Sequence, residues 1–205
     1  MKPTSLKAQT THPTTIADAQ REMRFAYYGG APGMLTSAAV WLTAGVVSLR
    51  VSPERGVWAL LIGGMLIHPV SLLLVKAIGR SGKHSPGNPF GSLALATTFW
   101  LVLSCVLAYT VSLLHIEWFF PAMLLVIGGR YLTFSTIFGA RIYWACGAAL
   151  VLAGYALWRT NAAPAYGAFS GAALEAGFAL AIFATSRREA AYESSATRFP
   201  STPGA

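Results

Sequence analysis

Residues 57–77 read VWALLIGGMLIHPVSLLLVKA, and this stretch decides the fold class of the chain. It is dominated by apolar residues and contains no formal charge before Lys76. About 20 predominantly apolar residues in a helix are needed to cross the hydrocarbon core of a bilayer. The stretch therefore predicts a transmembrane helix.

Stretches of the same kind lie on both sides of it. Apolar residues make up 55% of the 205-residue chain and charged residues only 11%, and the mean hydropathy is +0.54. Soluble domains carry about 25% charged residues, so the composition excludes a soluble domain and, for the main body, a disordered chain. It predicts an all-α polytopic membrane bundle over residues 31–186, with six transmembrane helices. These predicted spans are residues 33–49, 57–77, 91–114, 118–138, 142–158 and 166–186.

The distribution of Lys and Arg predicts the orientation of the bundle. With the N-terminus in the cytoplasm, the inside segments hold 11 of the 15 Lys and Arg residues, the outside segments hold three, and Arg130 lies within a span. Cytoplasmic loops are enriched in positive charge, so we expect both termini inside. The net charge of +8 then reflects topology. Basic residues scattered over several loops do not predict a nucleic-acid partner.

The segments that flank the bundle carry weaker signals. Residues 1–30 are predicted to be a cytoplasmic tail, with an interfacial helix over residues 16–28 whose Arg21 and Arg24 meet lipid phosphate. Residues 187–205 are rich in Ser and Thr and are predicted to be a disordered cytoplasmic tail. The first apolar stretch follows a long polar lead, so we expect it to be retained as a helix rather than cleaved as a signal peptide.

Three ionisable residues stand near the centres of even-numbered spans, and these are His68, Arg130 and Glu175. Their positions predict one common depth, and ionisable groups inside a membrane are functional candidates because they are costly to place there. One interpretation is a proton relay or an anion site. The other is a structural Arg130–Glu175 pair that locks two helices, with His68 bonded to a carbonyl. A direct Arg130–Glu175 pair is the specific prediction.

Neighbouring residues extend this polar centre. Gly64, His68 and Ser71 share one helical face, which we expect to point inward. Pro69 removes a helix hydrogen bond and predicts a kink beside His68.

The other two spans add similar neighbours. Thr133 lies on the face of Arg130 and adds a hydroxyl to the same centre. Gly167 and Gly171 form a GxxxG match on the face of Glu175, and they predict close helix packing there.

Sequence features of catalytic and metal centres are absent. The four histidines lack metal-ligand spacing, and no CxxC, HExxH or GxSxG motif occurs. Asp18 is the only aspartate, which excludes an intramembrane protease with paired aspartates. In the loop at residues 79–91, His84 follows Lys83 where a Walker motif needs Ser or Thr. We expect no enzyme activity, no metal and no cofactor.

Several short motifs resemble a known family. They are the run GGMLIHP at residues 63–69 with Lys76 after it, the loop GNPFG at residues 87–91, and the Gly-Gly-Arg run at residues 128–130 with Tyr143 downstream. Together they resemble a family of bacterial six-helix membrane proteins that is catalogued only as a domain of unknown function. The resemblance covers roughly residues 20–185. It implies the fold and no activity, and His68 replaces an aromatic residue that the family usually has before the proline.

Two functions follow as alternatives for a multi-pass protein of the bacterial cytoplasmic membrane. The first is a transporter or channel for a small solute or for protons, with the polar centre at its midplane. The second is a non-transporting accessory protein that binds lipid or a membrane partner, and a homo-oligomer is compatible with either function. A water-accessible cavity that reaches the midplane favours transport, whereas a dry and fully packed centre favours the accessory role.

Overall fold

A computed structural model describes residues 15–198, with side chains up to Arg187. This part of the chain is helical and contains no strand, so the prediction of an all-α protein is confirmed. Two short 3-10 turns, Tyr28–Gly30 and Ile116–Trp118, interrupt the helices. The helices are α1 (Ile16–Tyr27), α2 (Ala31–Arg50), α3 (Pro53–Ala77), α4 (Pro89–Ser112), α5 (Phe119–Phe138), α6 (Ile142–Arg159) and α7 (Pro164–Arg198).

Six helical segments of the described chain are long and apolar enough to cross a membrane, which confirms the predicted number of spans. The first segment, Ile16–Arg50, joins α1 to α2. The turn at Tyr28–Gly30 separates the two helices, and we take α2 as the spanning part. The other five segments contain α3, α4, α5, α6 and most of α7.

The C-terminal segment differs from its prediction. A disordered tail was predicted from residue 187 onward, but the backbone of α7 remains helical to Arg198. Residues 189–198 contain Ala and Glu, which are strong helix formers, and they extend the spanning helix without a break. Residues 1–14 and 199–205, which complete the two predicted tails, lie outside the described residues.

Helix starts and packing follow from local sequence. Ser52 and Asn88 cap the N-termini of α3 and α4, each followed by a proline at the first helical position. At the α2–α7 contact a Cβ atom on Gly171 would lie 2.7 Å from the Trp41 ring, so only glycine permits this approach. Gly167 packs in the same way against Phe120 of α5.

The spanning helices form two groups around α7. One group pairs α2 with α3 and α7, and the other pairs α5 with α4 and α6. α3 and α4 are the least buried of the six spans. They make little contact with each other, apart from Trp58 and Tyr109, whose ring centroids lie 5.3 Å apart. α3 and α4 therefore present most of their apolar surface to the surroundings of the bundle.

The segment predicted as an interfacial helix is helical, forming α1, and it packs on the bundle. Ala19, Met23 and Ala26 are buried, while Arg24 donates a hydrogen bond of 2.5 Å to the carbonyl of Phe138 at the C-terminus of α5. Gln20 donates to the carbonyl of Thr136 at 2.8 Å. We call the end of the bundle that α1 covers the α1 end.

Candidate functional site

Glu175 lies at the centre of the bundle and is completely buried, with 0% of its surface exposed. Its Oε1 accepts a hydrogen bond of 2.9 Å from the hydroxyl of Tyr131 on α5. Ser37 of α2 lies beside the same carboxyl group, whereas Oε2 has no hydrogen-bond partner. We call Ser37, Tyr131 and Glu175 the buried carboxyl site, and it joins α2, α5 and α7.

The walls of the buried carboxyl site are closed. Cys146 of α6 is fully buried near the carboxyl group of Glu175, and the ring of Tyr143 lies 5.9 Å from that of Tyr131. The hydroxyl of Tyr143 donates to the carbonyl of Gly29 in the turn before α2. In the described part of the chain, no surface opening exposes the carboxyl group, since Glu175 is completely buried.

Arg130 is next to Tyr131 in sequence but points toward α4. Its Nη2 donates a hydrogen bond of 3.0 Å to the Thr98 hydroxyl, and its guanidinium carbon lies 5.1 Å from the centroid of the Phe134 ring. The Nε atom is enclosed and has no partner. Arg130 therefore bridges α5 to α4 rather than to α7.

The predicted direct Arg130–Glu175 pair is not formed. The ion pairs of the described residues are Arg21–Asp18 and His115–Glu117, both away from this centre. Successive residues on a helix point about 100° apart. Because Tyr131 takes the direction toward Glu175, Arg130 cannot take it as well.

Arg130 opens onto a groove of about 250 Å³ between α4 and α5, which we call the Arg130 groove. Thr133 lines it too, so Arg130 and Thr133 do lie on one surface. Most of the remaining lining is apolar, and Gly129 faces open space. The lining residues are Thr97, Trp100, Leu101, Leu125, Val126, Gly129, Arg130 and Thr133.

The predicted inward face of α3 is wrong. Gly64 and His68 are both exposed, because α3 packs along α2 through the neighbouring face that carries Gly56 and Gly63. A Cβ atom on either glycine would lie 2.6 Å from a side-chain atom of α2. The Ser71 hydroxyl donates to the carbonyl of His68 at 2.8 Å. No hydrogen bond or ion pair of the described residues joins the His68 ring to Arg130 or Glu175.

Sequence reasoning missed Tyr131, Ser37 and Cys146. A signal for Tyr131 was available, because Leu124, Gly128, Tyr131 and Ser135 recur at helical spacing on the buried face of α5. Ser37 and Cys146 carry no comparable signal, since small polar residues are common throughout these spans.

A second cavity, of about 400 Å³, lies at the end of the bundle opposite the α1 end. Its lining includes Glu54, Trp58, Tyr109, His115 and Glu117. In the part of the chain that the structure describes, no group of three or more His, Cys, Asp or Glu residues is placed to hold a metal ion.

Taken together, six apolar helices around a buried polar centre define a multi-pass helical membrane protein. Residues 16–185 match a family model described as a family of unknown function, DUF7010, and the chain belongs to this family. The resemblance to an uncharacterised membrane family is thereby confirmed. No curated protein and no solved structure matches the chain.

Proposed function

We propose that this chain is a non-transporting accessory protein of the bacterial cytoplasmic membrane, which binds a lipid or a membrane partner at the periphery of its bundle. The observation that carries the proposal is the contrast between the two ionisable residues Glu175 and Arg130. Glu175 is completely buried, whereas Arg130 lines a groove that opens at the edge of the bundle. A transport site must be reached by solvent or by a dissolved solute. A site at the edge of the bundle that binds a lipid or a membrane partner needs no such access from water.

The exposed surfaces support the same role. Large apolar side chains on α3 and α4 are exposed, for example Met65 at 78% and Trp100 at 65%. Such surfaces meet lipid or another membrane helix, so they are also where a partner or a second copy of the chain would pack. We assign no catalytic step, since the Ser37 and Tyr131 hydroxyls beside Glu175 are buried together with it, away from any substrate.

Two measurements test the accessory function. The protein is extracted from membranes directly into nanodiscs and its retained lipids are quantified against the bulk lipid of the same membrane. In parallel, purified protein in liposomes is assayed for proton flux with an internal pH dye. We expect enrichment of particular lipids and no flux above that of empty liposomes. Flux that is lost in Glu175→Gln would overturn the accessory function.

The second candidate is a proton-coupled transporter or channel. It is favoured by one observation, the unpartnered Oε2 of Glu175 in a centre that provides no ion-pair partner. A hydrophobic carbodiimide tests it, because this reagent modifies protonated carboxyl groups inside membranes. Modification of Glu175 that declines at high pH would favour proton coupling, whereas an unmodified Glu175 would favour the accessory function. Glu175→Gln is the control for the modified position.

The proposed orientation places both termini in the cytoplasm. Reporter fusions at Ala205 and in the loops at residues 50–56 and 159–165 test this topology. We expect a cytoplasmic signal at Ala205 and an external signal at both loops. An external signal at Ala205 would overturn the orientation.

A further inference from the structure

We infer that the Arg130 groove binds the oxyanionic head of a membrane amphiphile, a carboxylate or phosphate group on a hydrocarbon chain. The inference rests on the proposed function, because it names the class of ligand that the periphery of the bundle binds. It is argued from the donors, the walls and the position of the groove.

The donors of the groove are not satisfied by the protein. A guanidinium carries five N–H donors, yet Arg130 makes one described hydrogen bond, from Nη2 to Thr98. Its Nε is enclosed without a partner. Hydrocarbon tails of lipid cannot accept hydrogen bonds, so a membrane surrounding leaves this cation unpaired at substantial cost. An oxyanion supplies both the charge and the acceptors, and a guanidinium binds one through two parallel bonds.

A hydroxyl completes the donor set. The Thr97 hydroxyl is already committed to the carbonyl of Ala94 at 2.8 Å, and the Thr98 hydroxyl donates to the same carbonyl at 3.0 Å. Thr133 has no described hydrogen bond and lines the groove with Arg130. Its hydroxyl is therefore free to donate to a ligand oxygen. Arg130 and Thr133, one helical turn apart on α5, form the recognition pair.

The walls indicate a ligand with a tail. Leu101, Leu125 and Val126 line the groove beside an exposed Trp100, and Gly129 leaves it open because no atom lies within 4 Å of a Cβ placed there. A small inorganic anion would have to leave water and cross hydrocarbon to reach this depth. An amphiphile already lies in the membrane, and its methylene groups stay in apolar surroundings when its head enters the groove.

Equilibrium binding of oleate and of a long-chain alkyl phosphate to the purified full-length protein in a non-ionic detergent tests the inference. Oleyl alcohol provides the tail without the charge, while acetate and inorganic phosphate provide the heads without the tail. We expect oleate or the alkyl phosphate to bind, and we expect none of the three partial ligands to compete at equal concentration. Equal competition by oleyl alcohol or by inorganic phosphate would overturn the assignment.

Substitutions locate the binding. Arg130→Gln should weaken binding by about tenfold or more, since hydrogen bonds to charged groups are the strong ones. Arg130→Lys should recover only part of it, because an ammonium group lacks the planar fork. Gly129→Leu fills the groove at an open position and keeps Arg130, so it tests the site even where Arg130→Gln fails to fold.

Gly177→Leu is the matched control. Gly177 of α7 also faces open space but does not line the groove, so this variant should bind as the wild type does. If Gly129→Leu leaves binding unchanged, the Arg130 groove is not the binding site, whatever the flux measurements give. Proton flux dependent on Glu175 would instead overturn the accessory function and leave the comparison between Gly129→Leu and Gly177→Leu intact.

Discussion

Arg130 and Tyr131 are neighbours on α5, but they belong to two very different regions of the molecule. Tyr131 is buried and donates to Glu175 inside a closed, three-helix contact. Arg130 reaches α4 and lines a groove at the edge of the bundle. The difference arises from the helix itself, because a rotation of about 100° per residue sends adjacent side chains toward different neighbours.

This comparison separates two uses of polarity inside a membrane protein. In the buried carboxyl site a polar group is held by the protein and hidden from the surroundings. In the Arg130 groove most N–H donors of the Arg130 guanidinium have no hydrogen-bond acceptor among the described residues of the protein. Polar groups within membranes are usually paired or functional. The first region is paired within the protein, and ligand binding is what we propose for the second.

The largest expected effect breaks the closed region by overpacking it. In Gly171→Leu the new side chain would collide with the ring of Trp41, which already lies 2.7 Å from a Cβ at this position. We expect a loss of about 3 kcal/mol in the free energy of unfolding, or failure to fold. The measurement is unfolding of the detergent-solubilised protein.

The control for this change is Gly129→Leu in the Arg130 groove, where a Cβ meets open space. It should not lower the free energy of unfolding, because the new side chain displaces no atom and leucine favours a helix more than glycine does. Equal losses at Gly171 and Gly129 would mean that the two regions are equally packed.

The second effect removes the hydrogen bond inside the buried carboxyl site. Tyr131→Phe leaves Glu175 without its described donor, and stranding a buried acceptor costs about 1–3 kcal/mol. Replacing both partners, in Tyr131→Phe with Glu175→Met, should recover part of the loss, because apolar pairs of similar shape leave no polar group unsatisfied. Thermal and chemical unfolding of the wild type, the two single mutants and the double mutant measure these changes in stability.

Tyr155→Phe provides the matched control, since this tyrosine is exposed on α6. It should leave the free energy of unfolding nearly unchanged. If the double mutant loses more free energy of unfolding than the two single mutants lose together, the hydrogen bond does not hold the site together.

The third effect tests whether the two regions are energetically separate. Arg130 binds Thr98 and Glu175 binds Tyr131, so Arg130→Gln and Glu175→Gln should be additive within about 0.5 kcal/mol. A double-mutant cycle read by unfolding measures their coupling. Coupling above about 1 kcal/mol would join the two regions into one polar centre, as the sequence alone had predicted.

How much of this was accessible from the sequence depends on what orients a helix. Hydropathy located all six spans, but the predicted starts of the second and third, at residues 57 and 91, lie inside α3 and α4. These helices begin at Pro53 and Pro89, directly after the capping residues Ser52 and Asn88. Hydropathy could not predict how each helix is rotated about its own axis, because spans that are apolar nearly all round offer no single buried face. The inward face predicted for Gly64 and His68 failed for this reason, as did the pair predicted for Arg130.

The α1 end offers a third environment against which the first two can be compared, since Glu22 makes its polar contacts there with residues outside the spanning helices. Glu22 of α1 accepts hydrogen bonds from the backbone N–H of Ser85 at 2.6 Å and from the side chain of Asn88 at 2.7 Å. Burial by itself would raise the pKa of the Glu22 carboxyl. The hydrogen bonds from Asn88 and Ser85 outweigh burial and hold its pKa below its usual value.

The smallest expected effect is therefore a dependence on pH that starts at the α1 end. Because folding lowers the pKa of Glu22, its stabilisation is complete above the usual glutamate pKa of about 4.3 and is lost as pH falls through the lower value of the folded protein. Thermal unfolding midpoints of the wild type and of Glu22→Gln, measured from about pH 7 to about pH 3, should converge at the acid end. Glu117→Gln, at the opposite end of the bundle, controls for the loss of one carboxyl group. If the gap between the wild type and Glu22→Gln stays constant across this range, the ionised form of Glu22 does not hold α1 to the loop before α4, and its contacts with Ser85 and Asn88 work as well when the carboxyl group is protonated.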